Sequence, residues 1–254
     1  MERLDLHTHT VFCDGNNTPE EMVLSAIEKG LKTYGISGHS FTSFDLSYCM
    51  GRSDNGEGVK QYIAELKRLK EKYKDRIEVL IGVEQDQFSS ESTEEFDYVI
   101  GSTHYLKIGD EYITVDYKPE YLTDACERFF NGDFYALCEY YFEEEAQVIE
   151  RTGADIIGHF DLISKLNEKE HFFDEDNERY IAAWKNAADI LLKTGKVFEI
   201  NTGAISRGYR TEPYPSISMI EYLKERGAKF ILSSDSHSVD TIAYDFEKYE
   251  KYVK

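Results

Sequence analysis

The sequence predicts an α/β fold: a closed or nearly closed barrel of parallel strands with helices packed outside it. Three observations in the 254 residues carry that reading. Short apolar runs alternate with helical patterns, which calls for parallel strands joined by helical crossovers. The runs are rich in Val, Ile, Leu, Phe and Tyr, as strands buried on both faces are. Each run also leads to a polar residue able to bind a metal, and the carboxyl rim of the strands is the working face of such barrels. An open doubly wound sheet is the alternative arrangement of the same elements.

Seven runs fit this pattern. Leu4-Asp5-Leu6 leads to His7 and His9, and Tyr34 to Gly38 leads to His39. Ile77 to Val83 leads to Glu84, Tyr98 to Thr103 to His104, and Asp155 to Gly158 to His159. Val197 to Ile200 leads to Asn201, and Phe230 to Ser234 leads to Asp235 and His237. Of the seven histidines, His171 alone lies off the pattern, in an acidic surface segment. The first helix has a clear start: Thr18 caps it, Pro19 takes its first position, and Glu21 completes a capping box. Gly30 closes it. Further helices are predicted over 59–73, 119–130, 134–152, 175–194, 217–226 and 240–252.

Composition narrows the function. Hydrophobic residues make up 41% of the chain, Pro occurs four times, and no linker divides residues 1–254, which read as one domain. No run of about 18 apolar residues is present, so no transmembrane helix is expected. The Met1–Asp5 start runs straight into the first motif without a signal region, and a cytoplasmic location follows. Cys13, Cys49, Cys126 and Cys138 lack paired spacing and read as free thiols, with Cys13 packing near the site. Lys plus Arg total 29 against 49 Asp plus Glu, a formal charge of -20. That balance excludes nucleic acid as an extended partner. A small phosphate ester remains possible, because bound divalent cations invert the local field. A monomer or small homo-oligomer is expected.

The motifs carry the chemistry. In His7-Thr8-His9 and again in Asp235-Ser236-His237, residues i and i+2 share one face of a strand. In a closed barrel the first and last strands are neighbours, so both pairs can converge on ions that imidazole suits. Each element alone has a plainer reading: a hydrogen-bonded pair for His7 and His9, satisfied core histidines for His39, His104 and His159. Glu84 follows a buried strand, and a buried carboxylate needs a partner. Their joint placement favours metal.

The set His7-Thr8-His9, Asp14, His39, Glu84, His104, His159 and Asp235-Ser236-His237 resembles the PHP (polymerase and histidinol phosphatase) superfamily, over nearly the whole chain and in the same order. Gly101–Tyr105, Gly158–Leu162, Glu199–Thr202 and Pro213–Ser216 look closest to its histidinol-phosphatase branch. The resemblance implies a distorted (β/α)7 TIM-like barrel holding two or three divalent ions of Zn, Fe or Mn. Carried over by position, His7, His9, Glu84 and Asp235 hold the first ion. Glu84, His104 and His159 hold the second, and Asp14, His39 and His237 the third. Many members have His in place of Asp14, and an oxygen ligand there weakens the preference for soft metals.

The implied activity is hydrolysis of L-histidinol phosphate to L-histidinol and phosphate, in histidine biosynthesis, by a metal-bridging hydroxide attacking phosphorus. Glu84, His104, Asp161, Asp235 and His237 are the expected catalytic residues. The chemistry is sound on general grounds. A phosphomonoester dianion repels nucleophiles, and divalent ions neutralise it and acidify water. Arg207 and Arg210, just past a strand end, are expected phosphate contacts, since planar guanidinium matches phosphate oxygens. Asp161 is expected to bind substrate or assist the leaving group, with support of a ligand histidine as its alternative. Competing functions are a PHP phosphoesterase acting on nucleotides, an inactive PHP scaffold, and an amidohydrolase. The last often uses a bridging Lys, and none ends a predicted strand. Tyr140-Tyr141-Phe142 reads as core packing, and Glu143-Glu144-Glu145 as a solvated helix face.

Overall fold

Every predicted apolar run forms a strand in the computed structural model, which describes residues 3–50 and 57–253. Met1 and Glu2, part of the start read above, lie outside the described residues. The strands are β1 (Leu4–Asp5), β2 (Thr33–Ile36), β3 (Glu78–Asp86), β4 (Tyr98–Ser102), β5 (Tyr105–Ile108), β6 (Glu111–Thr114), β7 (Ile156–Ile157), β8 (Val197–Asn201) and β9 (Phe230–Ser233). Seven of them make one parallel sheet in the order β1-β2-β3-β4-β7-β8-β9. The first and last strands meet at the rim. Thr8 and Ser236 form a parallel bridge, His9 N donates to Ser236 O at 2.8 Å, and Ser236 N donates to His7 O at 3.3 Å. The two motifs that carry candidate ligands are therefore also the seam that closes the barrel.

The barrel interior is filled from one side. Tyr98, Ile100 and Ile156 pack with Leu6, Leu80 and Ile231, and the Tyr98 hydroxyl donates to Leu6 O. Gly35 and Gly82 admit the Tyr98 ring: a Cβ at either would lie 2.1 or 2.2 Å from its atoms. Outside the sheet two larger apolar layers bury the helices, one around Met22, Tyr62 and Leu66, the other around Tyr141, Phe142, Trp184 and Leu223. Each large side chain so buried contributes about 1.5–3 kcal/mol.

The helices are α1 (Pro19–Glu28), α2 (Glu57–Tyr73), α3 (Pro119–Phe130), α4 (Phe134–Glu145), α5 (Val148–Thr152), α6 (Asn167–Glu170), α7 (Glu178–Leu192), α8 (Gly203–Ser206), α9 (Ile217–Glu225) and α10 (Phe246–Val253). The capping box forms as expected: Glu21 N donates to Thr18 Oγ1 at 3.3 Å and Thr18 N donates to Glu21 Oε2 at 2.8 Å. Three expectations need correction. The helix expected over 134–152 breaks into α4 and α5, where Ala146 N and Gln147 N tighten the last turn onto Phe142 O and Glu144 O. The helix expected over 240–252 becomes a 3-10 turn (Val239–Thr241) and α10, because Ala243 and Asp245 take φ of 54°, which no right-handed helix allows. Of the acidic run, only Glu143 is exposed. Glu144 pairs with Arg151 at 2.6 Å, and Glu145 is buried because α4 turns it toward the barrel wall. Tyr141 and Phe142 are core, while Tyr140 is half-buried. The four cysteines are free and buried. The antiparallel hairpin β5–β6 was not expected. Its signal is Ile108-Gly109-Asp110-Glu111, with Gly109 at φ 62°.

Candidate metal centre

The barrel rim gathers side chains that are far apart in sequence. His7 and His9 leave the end of β1 on one face, with ring centroids 5.2 Å apart. Glu84 sits within β3, and His39 bridges to it from the end of β2. His104 and His159 follow β4 and β7. Asp235 takes φ of 48° just past β9. That left-handed conformation, which costs a non-glycine residue roughly 1–3 kcal/mol, is held by the surrounding structure.

Glu84 is the hub. Its Oε2 lies 2.8 Å from His39 Nδ1, 3.3 Å from His7 Nε2 and 3.5 Å from His9 Nε2. Its Oε1 faces a different set, His159 Nε2 at 2.8 Å and His104 Nε2 at 3.1 Å. Asp235 Oδ1 lies 3.3 Å from His9 Nε2 and 3.9 Å from His7 Nε2. Asp14 reaches His39 Nε2 at 3.5 Å, His9 Nδ1 at 3.7 Å and His237 Nε2 at 3.3 Å. Four overlapping groups result: His7, His9 and Asp235; His7, Glu84 and His159; His39, Glu84 and His104; and His9, Asp14, His39 and His237. In each, the donor atoms lie within 4.8 Å of one another. All nine expected ligands are thus brought together. His7, His9 and His39 each fall in two groups, more than the positional assignment implied.

These residues fit divalent ions. His7 Nε2, His9 Nε2, His39 Nδ1 and Glu84 Oε2 are buried yet have no hydrogen-bond partner, although native structures pair nearly all such atoms. Nitrogen and carboxylate donors converging in this way match the ligand chemistry of Zn, Fe and Mn. The electrostatics agree. Burial alone would raise Glu84, but His7, His104 and His39 hold it well below the usual carboxylate range. Asp235 behaves likewise through Arg207 and His7. Burial, with His237 and His39 nearby, pushes His9 down to about 3. Burial also disfavours charge on His7, but Glu199, Glu84 and Asp235 outweigh it and raise His7. Protons drawn onto imidazoles in this way are those a bound ion displaces.

A layer behind the ligands was missed in the sequence. Glu199 Oε2 lies 2.8 Å from His7 Nδ1, and its Oε1 accepts from His159 N at 2.6 Å and from Asn201 Nδ2 at 2.9 Å. Such partners orient ligand imidazoles. The available signal was an acid inside the buried strand Val197–Asn201. Asp86 lies near His104 in another way: its Oδ2 accepts from His104 N at 3.2 Å and stands 3.5 Å from a ring Nδ1 that has no hydrogen-bond partner.

The expected substrate contacts divide. Arg207 lines the centre: it donates to Asp235 O at 2.7 Å and Asp235 Oδ2 at 2.9 Å, with His237 Nδ1 at 3.1 Å. Asp161 and Arg210 are the other two expected contacts. They pair with each other at 2.9 Å, with side chains 0% and 4% exposed, and Arg210 also donates to Ser164 Oγ at 2.5 Å. The pair does not satisfy every atom: Asp161 Oδ1 has no hydrogen-bond partner. Their pairing braces the Arg210–Ser216 loop, whose Ser216 N also donates to Asp161 at 3.3 Å. His171 is exposed, as expected.

Fold and site together define an α/β barrel with a rim centre for two or three divalent ions. The PHP domain model matches residues 5–203, and the chain belongs to that family. A protein of Schizosaccharomyces pombe named probable histidinol-phosphatase is 27% identical over 97% of this chain and 84% of its own length. The histidinol-phosphatase of Bacillus subtilis is 23% identical over 98% of both. Among solved structures, an assigned histidinol phosphatase of Listeria monocytogenes superposes with a TM-score of 0.83 at 24% identity, covering 97% of this chain and all of that one. The Lactococcus lactis histidinol phosphate phosphatase, complexed with zinc, L-histidinol and phosphate, has a TM-score of 0.71 at 22% identity, over 99% of this chain and 92% of that one. The two structures establish the distorted TIM-like PHP fold.

Proposed function

We propose that this chain is a metal-dependent phosphomonoesterase that hydrolyses L-histidinol phosphate to L-histidinol and phosphate, a step of histidine biosynthesis. One observation carries the reaction class: Glu84 turns its two oxygens to separate imidazole sets, the geometry a carboxylate needs to bridge two ions. The substrate follows from relatives named histidinol-phosphatase that align over nearly the whole chain.

In this reading His7, His9, Glu84 and Asp235 hold one ion, Glu84, His104 and His159 a second, and Asp14, His39 and His237 a third. When bound, the ions supply Lewis acidity to phosphoryl oxygens and acidify water at neutral pH. The chain's own residues do the rest. Glu199 fixes His7 in orientation, and Asp86 holds the backbone of His104. Arg207, beside Asp235, donates to a phosphoryl oxygen. The Asp161–Arg210 pair positions the wall that carries Arg207. The enzyme acts in the cytoplasm on a small molecule, as a monomer or small homo-oligomer, without nucleic acid or membrane as partner. Among the described residues no helix is long and apolar enough to cross a membrane.

The test is metal analysis of the purified protein followed by a panel of phosphomonoesters. Bound divalent metal and selective turnover of histidinol phosphate are expected. Preference for a nucleotide would replace the substrate. A folded, metal-free and inactive chain would overturn the reading.

A further inference from the structure

A phosphate ester of an amino alcohol carries its ammonium on the carbon beside the ester-bearing carbon. A carboxylate that receives this cation must stand next to the phosphate site, where an uncompensated negative charge would repel phosphate. Most carboxylates around the centre are committed elsewhere. Glu199 is buried behind His7, Asp86 accepts from His104 N and Phe88 N, Asp161 is paired with Arg210, and Glu145 is 1% exposed.

Asp116 differs. Its side chain keeps 22% exposure. It follows Val115, whose N donates to His104 O at 3.0 Å, so the backbone carries it to the second ligand group. Two residues earlier, Thr114 pairs with Tyr105 across the β5–β6 hairpin. Lys165 Nζ donates to Asp116 at 2.8 Å, while Thr114 Oγ1 is 3.3 Å from the other oxygen. Lys165 thus offsets part of its charge and fixes Oδ2, and Oδ1, touched only by Thr114 Oγ1, retains acceptor capacity. Beside it stands an aromatic wall. Tyr48 lies 4.6 Å from the His39 ring and 6.2 Å from the Tyr105 ring. The Tyr105 hydroxyl is anchored on Asp45 Oδ2 at 2.6 Å. Carboxylate and aromatic faces together suit an ammonium group.

We propose that Asp116 is a specificity-determining residue that accepts the ammonium group of the substrate against the Tyr48–Tyr105 wall. The inference rests on the phosphomonoesterase reading and extends it to the class of aminated phosphate esters. The test compares kcat/KM of the metal-replete protein for O-phosphoethanolamine and ethyl phosphate, which differ in the amine, and for L-histidinol phosphate. Calorimetric binding of L-histidinol gives a readout independent of turnover. Wild type should favour the aminated ester, and Asp116→Asn should cut that preference about 10- to 100-fold, the weight of a hydrogen bond to a charged group. Histidinol binding should weaken in parallel. A preference unchanged by the substitution, or absent from wild type, overturns the proposal. Wild type that prefers phosphoethanolamine but rejects histidinol phosphate would sink the substrate named above and leave Asp116 its role. If no ester is turned over, the phosphomonoesterase reading fails, and histidinol binding equal in the two proteins then overturns this inference as well.

Discussion

His159 and Asp161 are two residues apart, yet they belong to opposite kinds of buried polar cluster. His159 joins the metal centre, where lone pairs face lone pairs and several buried atoms find no donor in the protein. Asp161 joins a network in which Arg210, Ser164 and Ser216 all donate to one carboxylate oxygen, Oδ2, while Oδ1 has no hydrogen-bond partner. The first leaves atoms of several residues without a partner; the second carries its own cation in Arg210 and leaves a single carboxylate oxygen open. The difference teaches that open lone pairs from many residues converging on one point mark an ion site, whereas a carboxylate with its own guanidinium partner is already compensated in charge.

Substitutions can break or sharpen that contrast. Removing the hub should have the largest effect. Partners behind ligands cost about 10- to 100-fold, so Glu84→Gln, at the ligand itself, should lower turnover at least about 100-fold and reduce bound metal, as read by elemental analysis. Full metal content with an unchanged rate would refute the bridging role. Next, Asp161→Ala leaves Arg210 buried with only the more distant Glu175, at 4.0 Å, as counter-charge, a loss of up to about 3–5 kcal/mol. Denaturant unfolding should show that loss while metal stoichiometry holds. Metal loss without destabilisation would place Asp161 in the centre after all. Glu199→Gln touches the centre from behind, and metal affinity measured by chelator competition should fall about 10- to 100-fold with little change in fold.

The smallest effect concerns Glu145, whose carboxyl burial raises well above its ordinary 4.5. Above that pH the unfolded chain has released the proton while the folded chain still holds it. Stability therefore falls as pH rises toward the folded-state value. Glu145→Gln should remove that decline, stabilising the protein at pH 8 but not at pH 4. Equal urea midpoints for the two proteins at pH 8 would show that Glu145 carries no such penalty.

Much of the site was legible because its signals are local. The i, i+2 spacing of His7 and His9 needs only strand geometry, and Thr18, Pro19 and Glu21 needed only capping chemistry. Asp161 lies beyond the reach of that spacing. Strand geometry ends at Ile157, and Asp161 already stands at the threshold of the Leu162–Ser164 turn, at φ -110° and ψ 39°. Glu144 and Glu145 were misread because charge patterning cannot tell which side of a helix meets a wall. Glu199 sat in plain view within a strand, but its partners His7 and His159 lie 192 and 40 residues away.

From the chain alone came the alternation of strands and helices and the placing of histidines and acids at or near strand ends, because backbone periodicity and capping act over a few residues; Asp14 entered through the family resemblance. Tertiary structure alone decided which oxygen of Glu84 faces which imidazoles, that Arg210 closes on Asp161 while Arg207 stays at the rim, and that Lys165 meets Asp116. Those outcomes depend on angstrom-scale distances between distant segments, which barrel closure sets and no local pattern encodes.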